Sequence, residues 1–127
     1  MTFTTLIPQA RAALTGFANL TSVVPADRIT FARRPQGDLK PGITLEVGAV
    51  DYNPVMGNSQ GEIRYRIDYN AFSESAAQAA QIHELMKDAI NAASPADYDM
   101  NFFDESYFVD VDDVHRTTLM VDFIKFT

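Results

Sequence analysis

Residues 63–93, IRYRIDYNAFSESAAQAAQIHELMKDAINAA, change from a strand pattern to a helix pattern within a few positions. Over residues 63–72 apolar and polar side chains alternate, as in a strand with one buried face. From residue 75 onward the apolar residues recur every three or four positions, which is typical of an amphipathic helix. Ser75 and Gln78 have capping-box spacing, and Pro95 prevents continuation. The stretch therefore predicts a strand over 63–72 and a helix over 75–93.

A second alternating run lies upstream, over residues 43–50, with Ile43, Leu45, Val47 and Ala49 on one face. We expect it to pair with residues 63–72 as a hairpin. The connection, residues 51–62, is longer than the two to five residues of common hairpin loops. Long loops in compact domains are often functional, so we interpret this one as a mobile contact loop.

The remaining elements are predicted from the same periodicities. A helix is expected over residues 5–20, with Pro8 in its first turn, and short strands over residues 28–31 and 106–111. The last strand, residues 116–126, is apolar on both sides: Leu119, Val121 and Phe123 alternate with Met120, Ile124 and Phe126. A second apolar face predicts burial against another layer or another subunit.

These elements predict an α+β fold, with a mostly antiparallel sheet of about four to five strands and two helices on one face. Residues 1–127 form a single domain in this interpretation, and 46% hydrophobic residues suffice for a core. The chain has no Cys, which excludes disulfides and thiolate catalysis. We see no signal peptide and no apolar run near the ~20 residues of a membrane helix.

Charge is distributed unevenly along the chain. The net charge is −7, but residues 1–66 carry seven basic and five acidic residues (+2), and residues 67–127 carry three and twelve (−9). The basic residues Arg33, Arg34 and Lys40 lie on one early loop. An acidic chain is a poor nucleic-acid binder, whereas a split charge favours head-to-tail contact between copies.

Candidate chemistry is sparse. His83 and His115 lack metal-ligand spacing, and we interpret both as polar surface residues. Asp110, Asp112 and Asp113 form the densest acidic cluster, interpreted as a solvated turn or an interface patch, with a bridged divalent cation as the alternative. No nucleophile motif or Gly-rich phosphate loop is present. We therefore predict no catalytic residues, no cofactor and no metal site, and a protein that is not an enzyme.

The order of several short motifs resembles a known family. RITF (residues 28–31) is followed by Pro35, Gln36 and Gly37, then Pro41 opens an alternating strand. RYRIDYNAFSESAAQAAQIHELMKDAI (residues 64–90) and TLMVDFIKF (residues 118–126) follow. This series is similar to the tail terminator, or tail completion, proteins of long-tailed bacteriophages and related phage-like particles, over about residues 23–126.

The resemblance implies a virion structural protein that is assembled in the host bacterial cytoplasm. Its copies would form a ring, typically a hexamer, that caps the head-proximal end of the tail tube. The partners implied are the tail tube protein and a head connector or stopper, with DNA passing through the lumen unbound. A head-closure component is the alternative, and a small-ligand-binding α+β domain the third. The interface residues expected are Arg33, Arg34, Lys40, Pro54, Val55, Met56, Asn58, Gln60, Arg64, Arg66, Asp110, Asp112, Asp113, Met120 and Ile124.

Overall fold

The computed structural model describes residues 3–31, 41–54, 61–93, 99–109 and 113–126. Helices α1 (Phe3–Thr15) and α2 (Ala18–Thr21) and a 3-10 turn (Ala26–Arg28) precede strand β1 (Ile29–Phe31). Next come the long strands β2 (Gly42–Pro54) and β3 (Gly61–Ser73) and helix α3 (Ala76–Ala93). Strands β4 (Asp99–Val109) and β5 (His115–Phe126) end the fold. This is the predicted order of elements.

Within these ranges the strands form one sheet in the order β1-β2-β3-β5-β4. β1 runs parallel to β2, and the other three pairings are antiparallel. The helices pack against one another, and α1 and α3 also contact β1, β3 and β5. The predicted α+β class, with a mostly antiparallel sheet and a helical layer, is confirmed. No helix in the described ranges is long and apolar enough to cross a membrane.

The hydrophobic core lies between the helices and one face of the sheet. Tyr69, Leu119 and Val121 of the sheet are fully buried against a layer that includes Ile82 and Met86 of α3. Burying one such side chain contributes about 1.5–3 kcal/mol, so this layer is a major stabilising part of the fold. The apolar faces predicted for residues 67–71 and for residues 119–123 are confirmed.

A β-bulge interrupts the pairing of β2 with β3. Val47 pairs with Ile67, but Val50, not Ala49, pairs with Tyr65 and continues the core face. The predicted uninterrupted alternation over residues 43–50 is therefore wrong at residue 49, because one extra residue is inserted. That residue is Gly48, where a Cβ atom would lie 2.9 Å from a carboxylate oxygen of the β3 residue Asp68.

Several predicted boundaries are also wrong. β2 and β3 extend through residues 51–54 and 61–62, so the connection is residues 55–60 and not 51–62. These strand ends contain the polar residues Asp51, Asn53 and Glu62, so the alternation of apolar and polar residues is not visible there. β4 begins at Asp99, seven residues before the predicted start at 106, while its predicted end at residue 111 lies outside the described ranges. The single helix predicted over residues 5–20 breaks at Gly16 and Phe17, where Phe17 is extended (φ −95°, ψ 103°), and Pro8 lies inside α1 beyond its first turn.

A hydrogen-bonded corner joins β3 to α3. The backbone N–H of Gln78 donates to Ser75 Oγ at 3.1 Å, which is the predicted helix cap. The Gln78 side chain, however, accepts a hydrogen bond from Ser73 Oγ, and that hydroxyl in turn accepts one from the Ser75 N–H at 3.2 Å. The end of the strand and the start of the helix are therefore tied by three side chains, and α3 is positioned directly by β3.

Candidate interaction surface

The sheet face that points away from the core is called here the outer face. Within β3 and β5 its residues include Arg64, Arg66, Asp68, Asn70, Thr118, Met120, Asp122 and Ile124, with Phe72 and Arg116 at one end. The register sets Arg66 opposite Asp122 and Arg64 opposite Ile124. Opposed residues of antiparallel strands share a face. Four residues that the sequence assigns to an interface, Arg64, Arg66, Met120 and Ile124, are thus brought together on one surface.

Asp122 is the electrostatic centre of the outer face. Its side chain is 0% exposed, and its Oδ1 accepts a hydrogen bond from Arg66 Nε at 2.9 Å. Arg64 Nη1 lies 3.7 Å from Asp122 Oδ2, while its Nη2 bonds Glu62 at 2.9 Å. The hydrogen bond to Asp122 raises the pKa of Arg66. Two guanidinium groups therefore compensate one desolvated carboxylate, and their alignment depends on it.

β2 adds unbalanced negative charge to the outer face. Glu46 lies directly opposite Asp68, and like charges in this position are destabilising. Burial raises the pKa of Asp68, the negative charge of Glu46 raises it further, and Arg66 acts in the opposite direction. Asp68 Oδ1 has no hydrogen-bond partner among the described residues. The chain itself only partly neutralises this carboxylate pair.

Where β3, β5 and β4 end together, an arginine sits between two aromatic rings. The Arg116 guanidinium carbon lies 4.6 Å from the ring centroid of Phe72 and 5.3 Å from that of Phe108. Phe72 is buried, but Phe108 remains 45% exposed. A cation–π contact at such a partly exposed position contributes about 0.5–1 kcal/mol. This end of the outer face is therefore ordered, and one of its rings remains open to a partner.

A second candidate region is the groove between α3 and β4, called here the α3–β4 groove. It encloses about 610 Å³ and is lined by Ala76, Ala80, His83, Glu84, Glu105, Ser106, Tyr107 and Thr117. Glu105 bridges its two walls, with Oε1 2.7 Å from His83 Nε2 and 3.1 Å from Lys87 Nζ. The hydrogen bonds from His83 and then Lys87 lower the pKa of Glu105. The three side chains fasten the middle of β4 to the helix.

The interpretation of His83 as a surface residue is wrong. The residue is only 9% exposed, because it lies on the buried face of α3, and Glu105 reaches across to it from β4. Its Nδ1 atom is buried and has no partner among the residues that the structure describes. In the described part of the chain, no hydroxyl makes the nucleophile–base contact of acyl transfer with His83. His115 lies at the start of β5, with Nδ1 2.6 Å from the Tyr107 hydroxyl. We interpret both contacts as structural.

The acidic cluster is only partly within the described ranges. Asp113 is exposed and has a φ of 60°, in the left-handed region that Asp tolerates better than most residues. The backbone conformation therefore explains why an aspartate is suitable at position 113. Within the described ranges no three His, Asp or Glu side chains are placed to hold a metal ion. For Pro54 only the backbone is described, at the end of β2. The other predicted interface residues lie outside the described ranges: Arg33, Arg34, Lys40, Val55, Met56, Asn58, Gln60, Asp110 and Asp112.

Comparison with known proteins identifies the family. The sequence model of the family described as tail completion protein gp17 matches residues 9–124. The chain belongs to this tail completion family. The match covers β1 to β4, helix α3 and β5 as far as residue 124, and it confirms the resemblance seen in the sequence. A tail completion protein is a structural component of a phage tail, which supports a structural role in a phage tail for this chain.

The solved structures that match most of this chain include one from a virion particle and one bacteriophage protein. A chain in the virion of a native gene transfer agent particle superposes with a TM-score of 0.60 at 16% identity, over 93% of this chain and 92% of that one. The bacteriophage SPP1 gp17 protein gives a TM-score of 0.47 at 16% identity, over 90% and 88%. Comparison with curated proteins finds no match. At 16% identity, the match to the gene transfer agent chain shows only that the two chains share a fold.

Sequence reasoning missed two residues that organise these surfaces, Asp122 and Glu105. Asp122 stands 56 positions from Arg66, and Glu105 stands 22 positions from His83. The polar residues of each strand were recognised one strand at a time. The pairing of β3 with β5 was not predicted, so Arg66 and Asp122 were not placed opposite each other. Opposite charges at matching positions of two alternating strands are the signal that would have found the first pair.

Proposed function

We propose that copies of this tail completion protein form a ring of six at the head-proximal end of the tail tube. The ring ends tube polymerisation and offers a surface to the head connector or stopper. The observation that carries the proposal is the two-sided strand β5. One face of β5 is sealed in the core, while the other presents the half-buried Met120 and Ile124 beside Arg64 and Arg66. Methionine and arginine next to apolar surface are enriched at protein interfaces.

Charge supports a head-to-tail arrangement of the copies. A ring requires a heterologous interface, in which two different patches of the same chain meet. The split between residues 1–66 (+2) and 67–127 (−9) provides patches of opposite sign. In this proposal Arg33, Arg34, Lys40 and the exposed part of Arg64 face acidic residues of the next copy, Asp113 among them. Residues 54–60 at the hairpin end contact the tail tube or the lumen, through which DNA passes without being bound.

The test uses one outer-face charge and one matched control. Ile124→Glu places a carboxylate in the proposed interface, whereas Ala77→Glu adds the same charge at an exposed position of α3. By native mass spectrometry we expect rings from the natural protein and from Ala77→Glu, and folded monomers from Ile124→Glu. Charge reversal at Arg33 and Arg34 should also weaken the ring.

A protein that stays monomeric at high concentration and does not bind purified tube protein contradicts the proposal. Binding only to a head-side adaptor, and not to tube protein, identifies a head-closure component instead. Negative-stain images of tails assembled without this protein supply an independent readout, because tubes that are not capped should grow beyond their normal length.

A further inference from the structure

Strand β4 is a long edge of the sheet. In the described part of the chain it pairs with β5 on one side and with no strand on the other. It is 11 residues long, whereas β1 at the opposite edge has three. With respect to the described residues, the other side of β4 therefore presents a row of backbone N–H and C=O groups. Proteins usually shorten, cover or pair such edges, because they are ready to accept another strand.

The end of β4 also exposes apolar side chains on both faces. Tyr107, Phe108 and Val109 are 51%, 45% and 45% exposed, which makes them three of the five exposed large hydrophobic residues in the described ranges. The register sets Tyr107 opposite Thr117, on the core side, and Phe108 opposite Arg116, on the outer face. A strand added beside β4 would cover apolar surface on both sides of the sheet at once.

The α3–β4 groove lies beside this edge, on the core side of the sheet. Glu105 holds β4 to α3 through His83 and Lys87, so the groove wall is formed before anything binds. Ala76 and Ala80 on α3 leave room for inserted side chains. When a strand is added to an edge, its backbone supplies affinity and alternate side chains enter pockets of this kind.

The negative charge of β4 indicates which kind of strand can pair with it. Residues 99–109 include Asp99, Asp104 and Glu105 and no Lys or Arg. Beyond the part of β2 that pairs with β1, the charged residues of this strand are Glu46 and Asp51. Joining two copies through β4 and β2, or through two β4 strands, would therefore set carboxylates against carboxylates. We infer that β4 accepts an extended, basic segment of a different protein as an additional strand. This inference does not depend on the ring.

The test uses a synthetic probe and the full chain. The probe is a fluorescently labelled nine-residue peptide of alternating threonine and valine with lysine at two positions. We expect it to bind in anisotropy titrations and to slow the hydrogen exchange of those β4 amides that point away from β5. Replacing both lysines by glutamate should weaken binding about tenfold or more, and backbone N-methylation along one edge of the peptide should abolish it.

Two variants carry the same change of charge at different places. Asp104→Lys reverses an exposed charge on β4 and should weaken the lysine peptide while strengthening the glutamate peptide. Asp27→Lys, at the exposed turn before β1, should change neither. The proposal is overturned if the outward β4 amides exchange freely at saturating peptide. It is also overturned if they become protected without peptide as the protein concentration rises, because the occupant is then a second copy.

Discussion

The two faces of strand β5 alternate residue by residue, yet they are held by different interactions. Leu119, Val121 and Phe123 lie in an apolar layer under the helices, where volume and shape decide the energy. Between them Asp122 is just as completely buried, but under two arginines. The apolar face is complete within one copy. On the outer face the buried carboxylate of Asp122 is compensated by arginines. The stability of that face therefore depends on which charged or apolar groups lie next to it.

The largest effect is expected on the core face. Phe123→Ala should lower the free energy of unfolding by about 3–4 kcal/mol, because it removes a fully buried ring and leaves a cavity. Ile124→Ala, the next residue and half-buried on the outer face, should cost about 1 kcal/mol in the free subunit. Urea unfolding of both variants measures the difference. Equal losses would mean that the outer face is also a packed core.

Next in size is the loss of the buried charge. Asp122→Ala should lower the free energy of unfolding by about 2–3 kcal/mol, since the hydrogen bond from Arg66 to this carboxylate is lost and two positive charges are left facing each other. The double variant Arg66→Met with Asp122→Leu serves as the control. It should recover most of the loss, because apolar pairs often replace buried ion pairs without cost. A double variant no more stable than Asp122→Ala would place the loss in packing instead.

The contribution of Glu105 to the free energy of unfolding should decrease at acidic pH. Its pKa is lowered in the folded state, so its stabilising effect is present above the ordinary carboxyl value of about 4.3 and is lost as pH falls through the folded value. Glu105→Gln should cost under about 1 kcal/mol at pH 7, because the group is largely exposed and screened by water. Thermal unfolding from pH 7 to pH 3 tests this. Glu84→Gln, in the same groove, should retain the natural acid slope; the same flattening in both variants would contradict the assignment.

The smallest effect has the opposite sign. The pKa of Asp68 is raised, so between its ordinary value of about 3.9 and the raised value the folded protein binds more protons than the unfolded chain. Stability therefore falls as pH rises through that window. Asp68→Asn should raise the free energy of unfolding at pH 7 by a few tenths of a kcal/mol, with no gain at pH 3. Asp88→Asn, exposed on α3, is the control, and a gain that persists at pH 3 would show that charge is not the cause.

The parts of the fold that follow from local periodicity were predictable. Residues 63–93 contain both their strand and their helix in the sequence pattern, and the structure follows them closely. The bulge at Gly48 was not predictable, because the space beside that residue is set by Asp68 on the neighbouring strand. The length of β4 was hidden for a related reason: an edge strand can carry polar residues on both faces.

Prediction of the site had the same limit. Arg64, Arg66, Met120 and Ile124 were assigned to an interface from their own strands, and the register brings them to one face. His83 lies four positions after Ala79 and three before Met86, so the helical period alone places it on the buried stripe of α3. Its contact with Glu105 involves another element, and no pattern within α3 contains that information. Contacts between distant parts of the chain need the pairing of strands before they can be inferred.

The pairing of β2 with β3 restricts how the length of this hairpin can change. Each of its strands has 13 residues, and the bulge at Gly48 marks the start of the half nearer residues 55–60. Because strand faces repeat every two residues, an insertion there preserves both faces only if each strand gains an even number of residues. The arm can therefore lengthen in steps of about 6.6 Å, while the helical layer and its core remain as they are.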